Sequence, residues 1–271
     1  MGNEQIRLTV VTPTRNAARY LQECLESVAA NRVPGVSVDH LIVDSGSSDG
    51  TLEIARDFGA TIINVAPVNV YHSVNEGYRV AMESDVIGFL GGDDNMKPGS
   101  ASFLIDWLAR RESSWLVGAA EWIDATGASL GVFRAPPRWI SSKMHSSLGW
   151  NCLPLQSTFL TPEFLREVGD FDTSYQYSGD YSLFARALAV RTFDRTSRVL
   201  GEIRVHPGQL SRMPDPAREA ENQRVLDEFA PDSRLQQWFL RYWLKVVLNA
   251  ASPGWFYRKH IRVHGAGSSS R

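Results

Sequence analysis

An α/β fold on a mostly parallel sheet is what the first 110 residues predict, and three observations carry the prediction. Short apolar runs alternate with amphipathic stretches from Ile6 to about Arg110. The runs are almost continuously apolar, as strands covered by helices on both faces must be. Gly, Pro, Asn and Asp gather just after the first, second and fourth runs, where ligands of parallel sheets bind.

The elements follow in order. Ile6 to Thr12 (IRLTVVT) reads as the first strand. Asn16 is placed to cap the next helix, in which Leu21, Cys24, Leu25 and Val28 fall at i, i+3, i+4 and i+7. His40 to Asp44 (HLIVD) is a second strand. It runs into the turn SGSSDG, where Asp49 can cap a helix carrying Leu52, Ile54, Ala55 and Phe58. Ala60 to Val65 is a third strand, Ser73 to Ser84 a third helix and Val86 to Leu90 a fourth strand. That strand ends in Gly91-Gly92, presents Asp93 and Asp94, and reaches a helix-like stretch after Lys97-Pro98-Gly99. Thr12 to Asn16, Asp44 to Gly50 and Gly91 to Asn95 are therefore expected to converge on one crevice.

From about Ser113 the pattern becomes α+β. Strands are expected over Trp115 to Trp122, Leu130 to Arg134, Leu153 to Thr161 and Arg198 to Val205, with a helix over Asp180 to Val190. After Pro216 a C-terminal helical extension follows, broken at Ala251 to Gly254 and ending in a loose tail.

A chain of 271 residues, 43% hydrophobic and 21% charged, is globular with ample core. Its net charge of -2 makes no electrostatic case for a nucleic-acid partner. The two cysteines, Cys24 on an apolar helical stripe and Cys152 beside a strand, read as core residues of a protein from a reducing compartment. The N-terminus lacks the signal-peptide pattern, Ile6 breaks the match to a myristoylation start, and no run of ~18 apolar residues occurs. The expected location is cytoplasmic, with the inner face of the membrane as its refinement.

A buried strand that ends in paired carboxylates within a glycine turn can hold a divalent cation against nucleotide phosphates. In isolation an ordinary polar turn would look the same. The segments VVTPTRN, LIVDSGSSDGT, VNEG, FLGGDDNMKPG and SGDYSLFARAL, in this order, remove that ambiguity. Together they resemble the family-2 glycosyltransferases of the A-type fold, over roughly residues 6 to 210. The nearest look is to bacterial enzymes that build surface polysaccharides or glycolipids.

The resemblance implies a single Rossmann-like nucleotide-binding domain over residues 1–215, with a donor half (1–110), an acceptor half (111–215) and the extension 216–271. It implies a nucleoside diphosphate sugar donor, with UDP the expected nucleotide, and a glycan or lipid-linked acceptor. Thr12, Pro13, Thr14 and Arg15 take the place where the first strand meets base and ribose, although Pro13 would also simply end the strand. Asp44 matches the acidic second-strand motif, either bonding the base or bracing its loop; Ser45 stands where many relatives have a second acid. Asn75, with Gly77, is carried over as a ribose or phosphate contact, a helix-start role being the alternative. Asp93 and Asp94 match the metal motif for Mn²⁺ or Mg²⁺, with Asp94 the stronger expectation and Gly91 standing where the longer motif has an acid. Asp180 matches the catalytic base at a helix start, and an N-cap role is compatible with it. Arg186 is expected to brace that motif. His206, in RVHPGQLS, is carried over as a metal or diphosphate contact. His72 and Gln156 are weaker acceptor-side candidates, and His40 and His145 read as structural.

The resemblance, with these residues in place, implies a metal-dependent inverting glycosyltransferase. A nucleotidyltransferase would want a glycine- and lysine-bearing phosphate loop after the first strand, and a dehydrogenase G-x-G-x-x-G; TPTRN supplies neither. A degenerate nucleotide-sugar sensor or scaffold subunit is the non-enzymatic rival. In the extension, Leu235, Trp238, Phe239, Leu240, Tyr242, Trp243, Leu244, Val246, Val247 and Leu248 surround a narrow polar stripe of Gln237, Arg241, Lys245 and Asn249. Trp255, Phe256 and Tyr257 precede Arg258, Lys259, His260 and Arg262. Peripheral membrane contact, packing on the catalytic domain and a homodimer seam all remain open for this segment.

Overall fold

The computed structural model of the chain describes residues 5–209 and 215–251. Four strands, β1 (Ile6–Thr14), β2 (Val36–Asp44), β3 (Thr61–Asn64) and β4 (Val86–Phe89), form a parallel block in the order β3-β2-β1-β4. Helices α1 (Ala18–Ala29), α2 (Thr51–Asp57) and α3 (Val70–Ala81) make the crossovers. The two-residue strand β5 (Asn95–Met96) and helix α4 (Ser100–Arg110) follow the acidic turn.

The second half extends the same sheet. Strand β6 (Trp115–Ile123) pairs with the outer strand β7 (Ser129–Phe133); helix α5 (Ser142–Ser147) comes next. Strand β8 (Thr158–Leu160) lies antiparallel between β4 and β6 and joins the halves, with Leu160 opposite both Ile87 and Trp115. The expected strand from Leu153 is shorter because Pro154 starts a 3₁₀ turn over Leu155–Ser157. Helices α6 (Pro162–Val168) and α7 (Gly179–Val190) lead to β9 (Asp194–Arg204), which runs parallel to β6 and carries β5 at the sheet's end. Helices α8 (Pro216–Phe229) and α9 (Arg234–Ala251) complete the described chain.

The alternation of β1 explains the two cores. Leu8 and Val10 enter an apolar cluster with Leu21, Cys24 and Leu25 of α1, while Val11 enters the opposite cluster with Tyr78, Trp115 and Phe184. Each such fully buried side chain contributes ~1.5–3 kcal/mol. Gly77 lets α3 lie close on the sheet: a Cβ there would sit 2.4 Å from a Val11 methyl and 2.9 Å from one of Val43. Both cysteines are buried, as expected of core residues.

The cap expected at Asn16 is not formed. Ala17 occupies the N-cap position of α1, and Asn16 adopts a left-handed φ of 55° from which its Oδ1 accepts the Ser48 N–H. The capping is exchanged between loops: Asp49 accepts from the Ala18 N–H, and Thr51 Oγ1 accepts from the Ala17 N–H. Two helix starts thus share their acceptors and lock the first and second strand ends together.

Candidate active site

The turn after β4 is shaped around its two carboxylates. Asp94 is buried, its Oδ2 accepting from Gln156 Nε2 at 2.8 Å and its Oδ1 from the Arg204 backbone N–H at 2.8 Å. Burial, and then the Asp93 charge beside it, push its pKa up to about 8. Asp93 is the accessible one. Its side chain is 28% exposed, and its Oδ2 lies 2.9 Å from His206 Nε2. Asp93 and His206 thus face each other, both partly exposed, and Asp94 is buried beneath them. Gly91 follows from the same geometry, since a Cβ there would fall 2.7 Å from Asp94 Oδ2 and 2.8 Å from Asp93 Oδ1.

Arg204, at the end of β9, is the residue sequence reading missed. It has no exposed surface, yet its guanidinium is fully engaged. Nε donates to the Asp93 carbonyl at 2.9 Å, Nη2 pairs with Glu23 of α1, and the group lies 4.7 Å from the centre of the Tyr20 ring. A buried cation is tolerated only when paired and hydrogen-bonded in this way. The Tyr20 ring also meets the His206 ring at 5.0 Å, so α1, the acidic turn and β9 converge on one spot. The position two residues before the noted histidine was the available signal.

At the end of β1 and β2, Thr14 Oγ1 donates to Asp44 Oδ2 at 3.0 Å. Asp44 Oδ1 accepts the Gly46 and Ser47 N–H groups, so this buried carboxylate braces its loop. Ser45 is tied to the Thr14 carbonyl through its N–H and its Oγ. Thr12 turns its hydroxyl inward to His40 Nε2, 2.9 Å away, and burial holds His40 neutral with a pKa of about 3. Pro13 and exposed Arg15 flank them, and a Cβ on Gly92 of the acidic turn would lie 3.9 Å from the Pro13 carbonyl.

The helix-start position expected of Asn75 is a correction. The residue lies inside α3, not at its start, and both ends of its amide are consumed by Phe171, at 2.8 Å to the carbonyl and 2.9 Å from the N–H. It ties α3 to the segment leading to Asp180. Asp180 sits in the first turn of α7, whose N-cap is Ser178. Asn151 Nδ2 donates to its Oδ2 at 2.8 Å. Arg186 bonds the Val168 and Asp170 carbonyls, bracing the loop as expected. Glu221 of α8 accepts three consecutive backbone N–H groups, Gln176, Tyr177 and Ser178, at 2.7–2.9 Å. His145 is buried between Cys152 Sγ and the Tyr181 carbonyl, with a pKa lowered by burial to about 3. His72 occupies the first turn of α3, its N–H accepted by Asn69.

Segment 151–156 connects the two centres, Asn151 holding Asp180 and Gln156 holding Asp94. Five residue steps span at most ~18 Å, which bounds the separation of those two backbone positions. Among the described residues no cluster of three or more His, Cys, Asp or Glu side chains could enclose a metal. The donor set at Asp93 and His206 nevertheless fits a hard divalent cation, because Mg²⁺ and Mn²⁺ sites share their shells with substrate phosphates and need one or two protein ligands.

The fold places the protein in a class. It superposes on S. aureus TarS in complex with UDP-GlcNAc with a TM-score of 0.68 at 14% identity, over 92% of this chain and 75% of that one. It superposes on glucosyl-3-phosphoglycerate synthase of Mycobacterium tuberculosis, solved with Mn²⁺ and UDP, with a TM-score of 0.57 at 16% identity, over 84% of this chain and 82% of that one. At these identities the likeness is one of fold, the Rossmann-like A-type glycosyltransferase fold. Residues 9–164 match the model of glycosyl transferase family 2, more than half of the chain, and the protein belongs to that family. It is 27% identical over 209 residues to an uncharacterized glycosyltransferase of Rickettsia typhi, covering 74% of this chain and 65% of that protein's length.

Proposed function

We propose that the protein is a metal-dependent inverting glycosyltransferase that moves a sugar from a nucleoside diphosphate donor, with UDP the expected nucleotide, to a hydroxyl of a glycan or lipid-linked acceptor. The observation that carries the reading is the single segment 151–156, which anchors a carboxylate of the acidic turn at one end and Asp180 at the other. Donor and acceptor chemistry need such a fixed relation, since orientation supplies much of the rate.

Asp93 and His206 would hold the Mn²⁺ or Mg²⁺, whose charge favours departure of the diphosphate. Asp94, Gln156 and Arg204 keep that turn in place. Thr14, Asp44 and Ser45 set the shape of the nucleotide-facing loop, with Arg15 exposed at its edge for phosphate or base. The Asp180 carboxylate, oriented by Asn151, takes the proton from the acceptor hydroxyl as that oxygen attacks the anomeric carbon from the face opposite the leaving diphosphate. The bond from anomeric carbon to diphosphate oxygen breaks as the glycosidic bond forms, which inverts the centre.

Thermal unfolding against UDP-, GDP- and dTDP-sugars, with and without Mn²⁺, tests the reading. One donor class should stabilise the protein in a metal-dependent way, by ~2.7 kcal/mol at a hundredfold excess over Kd. Slow Mn²⁺-dependent hydrolysis of that donor should accompany it. Binding without any turnover would leave a nucleotide-sugar sensor, and no stabilisation by any donor would overturn the proposal.

A further inference from the structure

Helix α9 presents two apolar faces, and only one of them is used. Leu240, Leu244 and Leu248, at i, i+4 and i+8, pack on the main core. Roughly opposite, Leu235, Trp238, Phe239, Tyr242, Trp243 and Val246 fall at i, i+3, i+4, i+7, i+8 and i+11 and stand out from the protein. Trp238, Phe239 and Tyr242 are 64%, 60% and 63% exposed, against a general expectation that large apolar side chains cluster inside. Trp139, itself half exposed, extends the face by meeting the Trp243 ring at 5.3 Å. An apolar hollow of about 530 Å³, lined by Pro231, Leu235, Gln236, Trp238, Phe239 and Leu240, opens on the same side.

Charge and composition select the occupant. Between residues 234 and 251 the helix carries Arg234, Arg241 and Lys245 and no carboxylate. A second copy docked helix to helix would bring these cations together without a compensating anion on either helix. Asp227 and Asp232 lie in a separate cleft of about 680 Å³ with Arg234, Gln237 and Arg241, and neither lines the apolar hollow. Tryptophan and tyrosine among aliphatic residues, flanked by cations, match the headgroup layer of an anionic bilayer. The sequence beyond Ala251 repeats that composition, with Trp255, Phe256 and Tyr257 before Arg258, Lys259, His260 and Arg262, all outside the described residues. No described helix is long and apolar enough to cross a membrane, so the mode is docking on the surface.

We propose that the outer face of α9 seats in the interface of an anionic lipid membrane and so brings the acceptor side of the site to that surface. Arg241 of α9 lies against Gly149, where a Cβ would be 3.4 Å from its guanidinium, and Asn151 two residues on holds Asp180. A lipid-linked acceptor is the substrate class this placement serves. That last step rests on the glycosyltransferase reading, whereas the docking does not.

Co-sedimentation of the full chain with vesicles needs no nucleotide sugar and so tests the docking by itself. Wild-type protein should sediment with vesicles of phosphatidylcholine and phosphatidylglycerol at 3:1, and at least tenfold less with phosphatidylcholine alone or in 0.5 M NaCl. Trp238→Ser/Phe239→Ser/Tyr242→Ser should lose at least tenfold of the binding while keeping its circular dichroism and its Mn²⁺-dependent thermal shift with donor. Equal sedimentation of this variant and wild type overturns the proposal, as does failure of wild type to bind. A dimer that the triple variant dissociates, with vesicles ignored, assigns the face to a second copy and overturns it too.

Discussion

The acidic turn and the Asp180 loop are held by different means. Asp93 and Asp94 leave the end of a parallel strand, and their anchors, Gln156 and Arg204, come from the segment before β8 and from β9 of the same sheet. Asp180 begins a helix after a loop, and that loop is gripped from outside the sheet. Glu221 takes three of its backbone N–H groups, Arg224 pairs with Asp172, and Tyr177 bonds Asp215 at the start of α8. A carboxylate placed by a sheet inherits the sheet's rigidity. One placed by a loop depends on the partner that fills its open hydrogen bonds. The acidic turn is thus carried by the family fold, and the Asp180 loop leans on a helix that follows it.

Breaking each side separately sharpens the contrast. Asp180→Asn should show the largest effect, a loss of transfer of ~10²-fold or more with donor affinity retained. Near-normal turnover would leave Asp180 as part of the helix start alone. Asp93→Ala should weaken Mn²⁺-dependent donor binding by ~10-fold or more in calorimetry, with the melting temperature unchanged because the side chain is partly exposed. Equal donor affinity with and without the substitution would remove Asp93 from the site.

Glu221→Ala should act through the loop. It strands three donors at a modest cost of ~1–3 kcal/mol, a fall of ~2–10 °C in melting temperature, and should lower kcat ~10-fold while donor KM stays. Glu221→Gln, which keeps an acceptor oxygen, should restore part of kcat. A purely structural role would lower the melting temperature in both variants and leave kcat untouched.

The smallest effect is on pH dependence. His40 and His145 are buried neutral, with pKa values of about 3 against an ordinary 6.5. Between those values the unfolded chain binds more protons than the folded one, so their contribution to stability is present above pH 6.5 and lost as pH falls toward 3. His145→Asn should therefore flatten the slope of unfolding free energy against pH by ~1.4 kcal/mol per unit between pH 6 and 4, compared with wild type. Unaltered slopes in the two proteins would mean that His145 is protonated in the fold.

Much of the architecture was legible because its signals are local. The i, i+3, i+4, i+7 stripe of Leu21, Cys24, Leu25 and Val28 is α1's buried face, and the apolar runs at Ile6, His40 and Val86 are β1, β2 and β4. Cap assignment failed at Asn16 because the acceptors for α1 arrive from the second loop, across thirty residues of chain. The strand at Leu153 was overcounted because Pro154 turns the backbone before the ladder begins.

By itself, the sequence determined the family, the parallel sheet and which polar segments lie at its strand ends. Hydrophobic period and turn residues act within a few positions of one another, so a linear reading captures them. Only the tertiary structure decided which of the two carboxylates is buried and which is partly exposed. Asp93 and Asp94 are adjacent and chemically identical, and what separates them is that Gln156 and the Arg204 N–H bury one while His206 meets the other. The same holds for Asn75, spent on Phe171, and for α9, whose two apolar faces look alike until Leu244 is buried and Tyr242 is not. Burial and hydrogen-bond partnership are properties of what arrives from elsewhere in the chain.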